Sequence, residues 1–162
     1  MAGRAPDAAG GTAPALRIQA TCVAIDGTGV LIRGAPGSGK SDLALRLIDG
    51  GAKLVADDLV EIAVRDGRAV ARLPADTPAD CRGRLEVRGI GLLAVPSVAQ
   101  AALALAVELV PGGPAERLPE PATVELGGIP LPLIRLDGLA ASAPARVRLV
   151  LRRPGLSIVP GP

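Results

Sequence analysis

The octapeptide "GAPGSGKS", Gly34 to Ser41, fits the pattern GxxxxGK[ST], a spacing suited to gripping a chain of phosphates. Its glycines let backbone N–H groups converge on phosphate oxygens, and a helix beginning there adds positive potential. Gly34, Ala35, Pro36, Gly37, Ser38, Gly39, Lys40 and Ser41 are the candidate nucleotide-binding residues. Within them Lys40 would bridge the terminal phosphates, and Ser41 would offer its hydroxyl to Mg²⁺. The loop implies a nucleoside triphosphate or similar polyphosphate with Mg²⁺. It leaves the acceptor open, so hydrolase, kinase and switch all fit.

Carboxylates must discriminate among these. In "LVADDLVEI", residues 54 to 62, Asp57 and Asp58 interrupt an apolar run soon after the loop. An acid at the end of an apolar strand is how a phosphate-loop fold holds magnesium. Two neighbouring acids in an extended strand point to opposite faces, so only one can face the phosphate unless the strand ends between them. Two carboxylates beside a polyphosphate also repel, which raises the pKa of at least one and suits a general base. Periodicity does not choose between them.

A third site lies in "LEVRGIG", where Glu86 and Arg88 are read as sharing a strand face, one suited to metal and the other to phosphate. Gly89 and Gly91 make the following loop mobile and permit close approach to a partner.

The elements that must position these groups follow from pattern. "LRIQATCVAIDGTGVLIRG" reads as two strands, Leu16 to Ile25 and Val30 to Arg33, joined at Asp26-Gly27. From Lys40, "KSDLALRLIDGG" carries Leu43, Leu47 and Ile48 at helical spacing, with Gly50-Gly51 as a left-handed C-cap. "AKLVA" is a strand, "LVEIAVRDGRAVARL" a hairpin turning at Asp66-Gly67, and Pro74 to Gly83 a loop. "RLEVRGIGLLAV" is a strand broken by a loop, "PGGPAERLPEP" a surface loop, and "TVEL", "LPLIRL" and "RVRLVLRR" are strands. The expected fold class is α/β, one domain with a P-loop-containing mixed sheet. Its bounds are 15–155, with a disordered tail at 1–14 and a C-terminal tail at 156–162.

Composition limits the remaining classes. The chain of 162 residues has 49% hydrophobic and 21% charged residues, as a globular domain has. It contains no Phe, Tyr or Trp, so the core must be aliphatic and alanine-rich, which points to marginal stability or oligomerisation. It contains no His either, which removes the commonest general base. A net charge of +2 without aromatic stacking platforms argues against nucleic acid. Cys22 and Cys81 match no metal or disulfide pattern and read as free thiols of a cytoplasmic protein. The uncharged run from Gly89 to Val107 is punctuated by Pro96, Ser97 and Gln100, and its Leu103, Leu105, Val107, Leu109 alternation has a strand's period. It is not a membrane span, and the N-terminus lacks the apolar core of a signal peptide.

Together "GVLIRGAPGSGKSDLAL", "GAKLVADDLVEI" and "LEVRGIGLLAV" resemble, in order and spacing, the catalytic domain of bacterial HPr kinase/phosphorylase, in its short alphaproteobacterial-type form. The likeness covers roughly Ile18 to Val95. It implies a phosphoenolpyruvate-carboxykinase-like fold and an ATP- and Mg²⁺-dependent serine kinase. The substrate would be HPr, the phosphocarrier of the sugar phosphotransferase system, and the same site could run in reverse by phosphorolysis. By the same resemblance Asp58 is the proton-shuttling base, and Lys40 and Arg117 of "ERLPE" act on the transferring phosphate. Ser41 and Glu86 hold Mg²⁺ with support from Asp57, and Arg88, Gly89 and Gly91 form a loop touching the protein substrate. It also implies a homo-oligomer, a hexamer, working in the cytoplasm. Gln19 stands where the family typically has His, and the N-terminal regulatory domain of long members has no counterpart here. Those departures leave a second reading, a non-catalytic ATP-sensing module acting through protein contacts. A small-molecule kinase on the same scaffold is a third.

Overall fold

Two adjacent strands, β2 (Thr21–Ile25) and β3 (Thr28–Arg33), are buried on both faces in the computed structural model, which describes residues 14–152. Val23, Val30 and Ile32 enter one apolar cluster, whereas Cys22, Ala24 and Leu31 enter another on the opposite side. The turn between the strands has Asp26 at φ 50° and Gly27 at φ 80°, the paired positive values a tight hairpin demands. Of the expected tails, residues 1–13 and 156–162 lie outside the described residues.

The long strand β9 (Gln100–Leu109) organises the sheet. One edge runs parallel to β3, pairing Arg33 with Glu108. Along the other edge its first residues pair antiparallel with β6 (Arg68–Arg72), and Ala106 to Leu109 pair parallel with β11 (Ile129–Leu136). The sheet therefore branches at β9. One branch continues through β6 to β5 (Leu59–Arg65) and β1 (Leu16–Gln19); the other ends in the β11 hairpin with β10 (Ala122–Leu126). Beyond β3 lie β2 and then β4 (Lys53–Ala56). This mixed sheet bears out the expected α/β class.

Helix α1 (Lys40–Asp49) buries Leu43, Ala44, Leu47 and Ile48, the stripe that its spacing predicts. It ends in a Schellman motif: Gly51 N donates to Ile48 O at 2.9 Å and Ala52 N to Leu47 O at 3.0 Å. Gly51, at φ 108°, supplies the positive dihedral, while Gly50 stays at φ −86°.

Four expectations need correction. The run from Leu16 to Ile25 is two strands, because β1 leaves to pair with β5 while β2 pairs with β3 and β4, and Ala20 between them donates its N–H to Asp58 O. Residues 146–152 of "RVRLVLRR" lie in helix α2 (Ala143–Arg152), whose Ala143, Val147, Val150 and Leu151 pack on the α1 side at helical spacing. The glycines of "LEVRGIGLLAV" do not make a loop between unrelated segments; they turn an antiparallel hairpin of β7 (Arg84–Val87) and β8 (Gly91–Ala94). Arg88 consequently falls past the end of β7 and does not share a strand face with Glu86.

Candidate active site

The phosphate loop leaves the carboxyl end of β3 and enters α1, at the edge where open α/β sheets present their ligand crevices. Gly34, Gly37 and Gly39 have φ of 157°, 79° and 97°, and a Cβ on Gly34 would run into Ser38 Oγ. Gly39 caps α1 without any side-chain bond, so the first-turn N–H groups are free for an anion. Lys40 Nζ donates to Gly34 O at 2.9 Å and Ala35 O at 3.1 Å, arching over the loop. Of an ammonium's three donors, one remains for a phosphate oxygen. Ser38 Oγ is buried and has no hydrogen-bond partner among the described residues. A buried orphan hydroxyl in a concave N–H cradle is what a bound phosphate would satisfy.

Strand β4 lies one strand further out than adjacency to β3 would put it, because β2 intervenes. Two antiparallel steps nevertheless make β4 run in the same direction as β3, so its C-terminal end emerges beside the loop. Asp57 follows directly. Its Oδ1 accepts from Ser41 Oγ at 3.0 Å and from Thr21 Oγ1 at 2.8 Å. Thr21 is fully buried at the start of β2, so it anchors the carboxylate from beneath. Ser41 hydroxyl and Asp57 carboxylate are hard oxygen donors of the sort Mg²⁺ takes, with waters completing its shell.

The strand ends at Ala56, before both acids. Leu59 N donates to Asp57 O at 2.9 Å across Asp58, whose φ is 71°. That bond and that dihedral describe a γ-turn, a strained arrangement for a residue other than glycine. It releases Asp58 from the alternation of β4 and leaves its side chain exposed, with no hydrogen bond or ion pair among the described residues. Asp57 and Asp58 both line a cleft of about 320 Å³, whose far wall includes Arg84, Glu86 and Leu92 of the β7–β8 hairpin. Asp76 lines it too; the hydrogen bond from Arg17 Nη1 at 3.0 Å, with that guanidinium's charge, holds its carboxyl below the usual range.

The remaining expected residues are placed less closely. Glu86 is exposed on β7 and shares the cleft with the aspartates, yet no three acidic, Cys or His groups among the described residues stand close enough to form a metal cluster by themselves. Arg88 and Gly89 form the hairpin tip with Ile90, and Gly91 starts β8. Arg117 is exposed in the segment between β9 and β10 and lines none of the clefts beside the loop. Two residues emerged that pattern reading did not single out. Thr21 had no signal beyond its place in an apolar strand. Gln19, noted only as a departure from the family, lines an open 400 Å³ cleft with Gly34, Ala35 and Glu108.

A strand, a glycine-rich loop closing into a helix, and an acid bonded to the loop's serine define a phosphate-loop α/β domain. Residues 11–106 match the family model for the HPr Serine kinase C-terminal domain. With more than half of the sequence inside that match, the chain belongs to this family. It is 44% identical over 86 residues to the HPr kinase/phosphorylase of Clostridium tetani, covering 53% of this chain and 27% of that protein. The HPr kinase/phosphorylase of Clostridium acetobutylicum is 45% identical over 86 residues, with the same coverage. The chain thus spans about a quarter of the length of the curated relatives it matches. The solved structure of the Hpr(Ser) kinase/phosphatase from Coxiella burnetii superposes with a TM-score of 0.71 at 28% identity, covering 85% of this chain and 94% of that one. That superposition supports the fold well past the family match, which ends inside β9.

Proposed function

We propose that this domain is an ATP-dependent protein serine kinase that phosphorylates an HPr-type phosphocarrier and so regulates carbohydrate metabolism. The observation that carries this reading is the Asp57 carboxylate bonded to Ser41 of the phosphate loop, with the exposed Asp58 lining the adjoining cleft.

In this reading, the N–H groups of Gly34 to Ser41 and the free donor of Lys40 hold the β- and γ-phosphates. Ser41 and Asp57 would hold Mg²⁺, with Glu86, on the far wall of the same cleft, as a further candidate ligand. Mg²⁺ held there would offset the negative charge of the phosphates. The substrate serine enters the cleft between Asp58 and the β7–β8 hairpin, against Arg88, Gly89 and Gly91. Asp58 accepts the hydroxyl proton as the serine oxygen bonds to the γ-phosphorus and the bond to ADP breaks. Arg117 reaches the transferring phosphate only if the exposed segment carrying it folds over the site. Run backwards with inorganic phosphate as acceptor, the same groups would perform phosphorolysis. The carrier is a cytoplasmic protein, so the domain works in the cytoplasm, as a homo-oligomer that family resemblance makes a hexamer. Among the described residues no helix is long and apolar enough to cross a membrane.

The test is to incubate the protein with Mg·ATP and candidate phosphocarriers and to weigh the carriers by mass spectrometry. A mass gain of one phosphate on a serine supports the kinase. An unmodified carrier with ATP bound to the domain would assign it instead to nucleotide sensing.

A further inference from the structure

The segment after β11 folds back over the phosphate loop and leaves an apolar side chain there. Leu139 Cδ2 stands 3.0 Å from where a Cβ on Gly39 would lie, so this leucine rests against the backbone that turns into α1. It is nevertheless 66% exposed. Its position is built. Leu139 N donates to Asp137 Oδ1 at 3.0 Å, and Ala140 N to Asp137 O at 3.2 Å. Arg46 reaches across from α1 and donates to Ala140 O at 3.1 Å and to Gly138 O, while Asp42 holds the same guanidinium at 2.8 Å. Gly138 packs so closely that a Cβ there would stand 2.7 Å from Leu109 Cδ1.

An exposed leucine held this firmly beside an anion cradle calls for an apolar ligand part close to a phosphate. A nucleotide has one. With its phosphates on the loop, its nucleoside must leave along a wall of the loop, and a flat heterocycle needs a surface to lie on. The chain has no Phe, Tyr or Trp to supply one. The open cleft at the loop's other end sets Leu109, Val110 and Pro111 beside Gln19, Arg33 and Glu108, whose amide and charges suit a solvated polar group. The cleft at Asp58 is needed for the acceptor. We infer that Leu139 is the platform on which the base of the bound nucleotide rests, and that Arg46 is the positioning residue that holds this platform over Gly39. This rests on the phosphate-loop reading above. Because a leucine offers no hydrogen bonds, the platform accepts adenine and guanine alike.

Titration calorimetry with Mg·ATP and, separately, Mg·tripolyphosphate tests this. Leu139→Gln, at an exposed position, should weaken ATP about tenfold, as loss of much of one leucine's apolar contact would, and leave tripolyphosphate unchanged. Leu139→Phe should bind ATP at least as tightly as the wild type. Arg46→Gln should show the same split, ATP weakened and tripolyphosphate unaffected. ATP affinity unaltered by Leu139→Gln, or equal losses for both ligands, would overturn the platform. Equal losses in Arg46→Gln would overturn its positioning role. A wild-type protein that binds neither ligand would overturn the phosphate-loop reading and the platform with it, whereas one that binds both equally tightly would overturn the platform alone.

Discussion

Ser41 and Asp57 are joined by a 3.0 Å hydrogen bond from the serine hydroxyl to the carboxylate, and the buried Thr21 hydroxyl bonds the same oxygen at 2.8 Å. The carboxylate is thus both a magnesium-ligand candidate and the acceptor that satisfies a buried donor. Asp57→Asn keeps an acceptor oxygen for both hydroxyls and should leave thermal stability nearly unchanged while Mg²⁺-dependent ATP affinity collapses. Asp57→Ala removes the acceptor and should in addition cost about 1–3 kcal/mol. Denaturant melts and titration calorimetry of the two variants separate these effects.

Asp58 combines an exposed carboxylate with a positive φ. Asp58→Asn, which tolerates that backbone, should lower phosphoryl transfer about 10²–10⁴-fold with ATP binding largely intact. Asp58→Gly should be equally inactive yet more stable by up to about 1 kcal/mol, because it relieves the γ-turn. A Asp58→Asn variant transferring at wild-type rate would remove Asp58 as the base. Lys40→Ala, in contrast, should weaken both binding and transfer.

Ile90 at the β7–β8 tip is 71% exposed, beside exposed Leu92 and Leu93. If this hairpin seats the protein substrate, Ile90→Asp should raise KM for the carrier roughly tenfold or more while KM for ATP stays put. Steady-state kinetics with each substrate varied in turn reads the difference.

Burial pushes the Cys22 thiol up from 9.0 to about 12. In the unfolded chain the thiol ionises near the lower value, so above it the folded state binds more protons. Stability should therefore fall as pH rises from about 9 toward 12, and remain unaffected by this group below that window. Cys22→Ala should flatten the alkaline limb of a Tm-versus-pH curve. At neutral pH, iodoacetamide should label exposed Cys81 and spare Cys22 in the native protein.

The phosphate loop, α1 and both Asp-Gly hairpins were legible because each rests on local chemistry: glycine dihedrals, a 3.6-residue stripe, and turns needing positive φ. The pair Asp57-Asp58 was legible as a site, but the way both acids escape strand alternation was not, since a γ-turn at Asp58 has no mark in "VADDLV". The break at Ala20 is set by which strands β1 and β2 find as partners, information that lies about thirty to forty-five residues further along, in β4 and β5. Helix α2 is hidden in the sequence because Val147, Leu149 and Leu151 alternate as a strand would. Ala143, Val147 and Leu151, spaced for a helix, compete in the same stretch, and packing against α1 decides. Leu139 and Arg46 meet the loop only through tertiary contact.

The branching of β9 bears on when the site comes into being. Its parallel partners lie far away on either side along the chain, β3 at Gly29 to Arg33 and β11 at Leu133 to Leu136. Such pairings close long loops before they gain any contact, so they form slowly. Gly34 packs against Leu109 at the end of β9, and the Leu139 segment hangs from the end of β11. A chain still emerging from the ribosome thus carries the whole glycine-rich motif long before it has a surface that can bind a polyphosphate, and nucleotide capture marks the completion of folding.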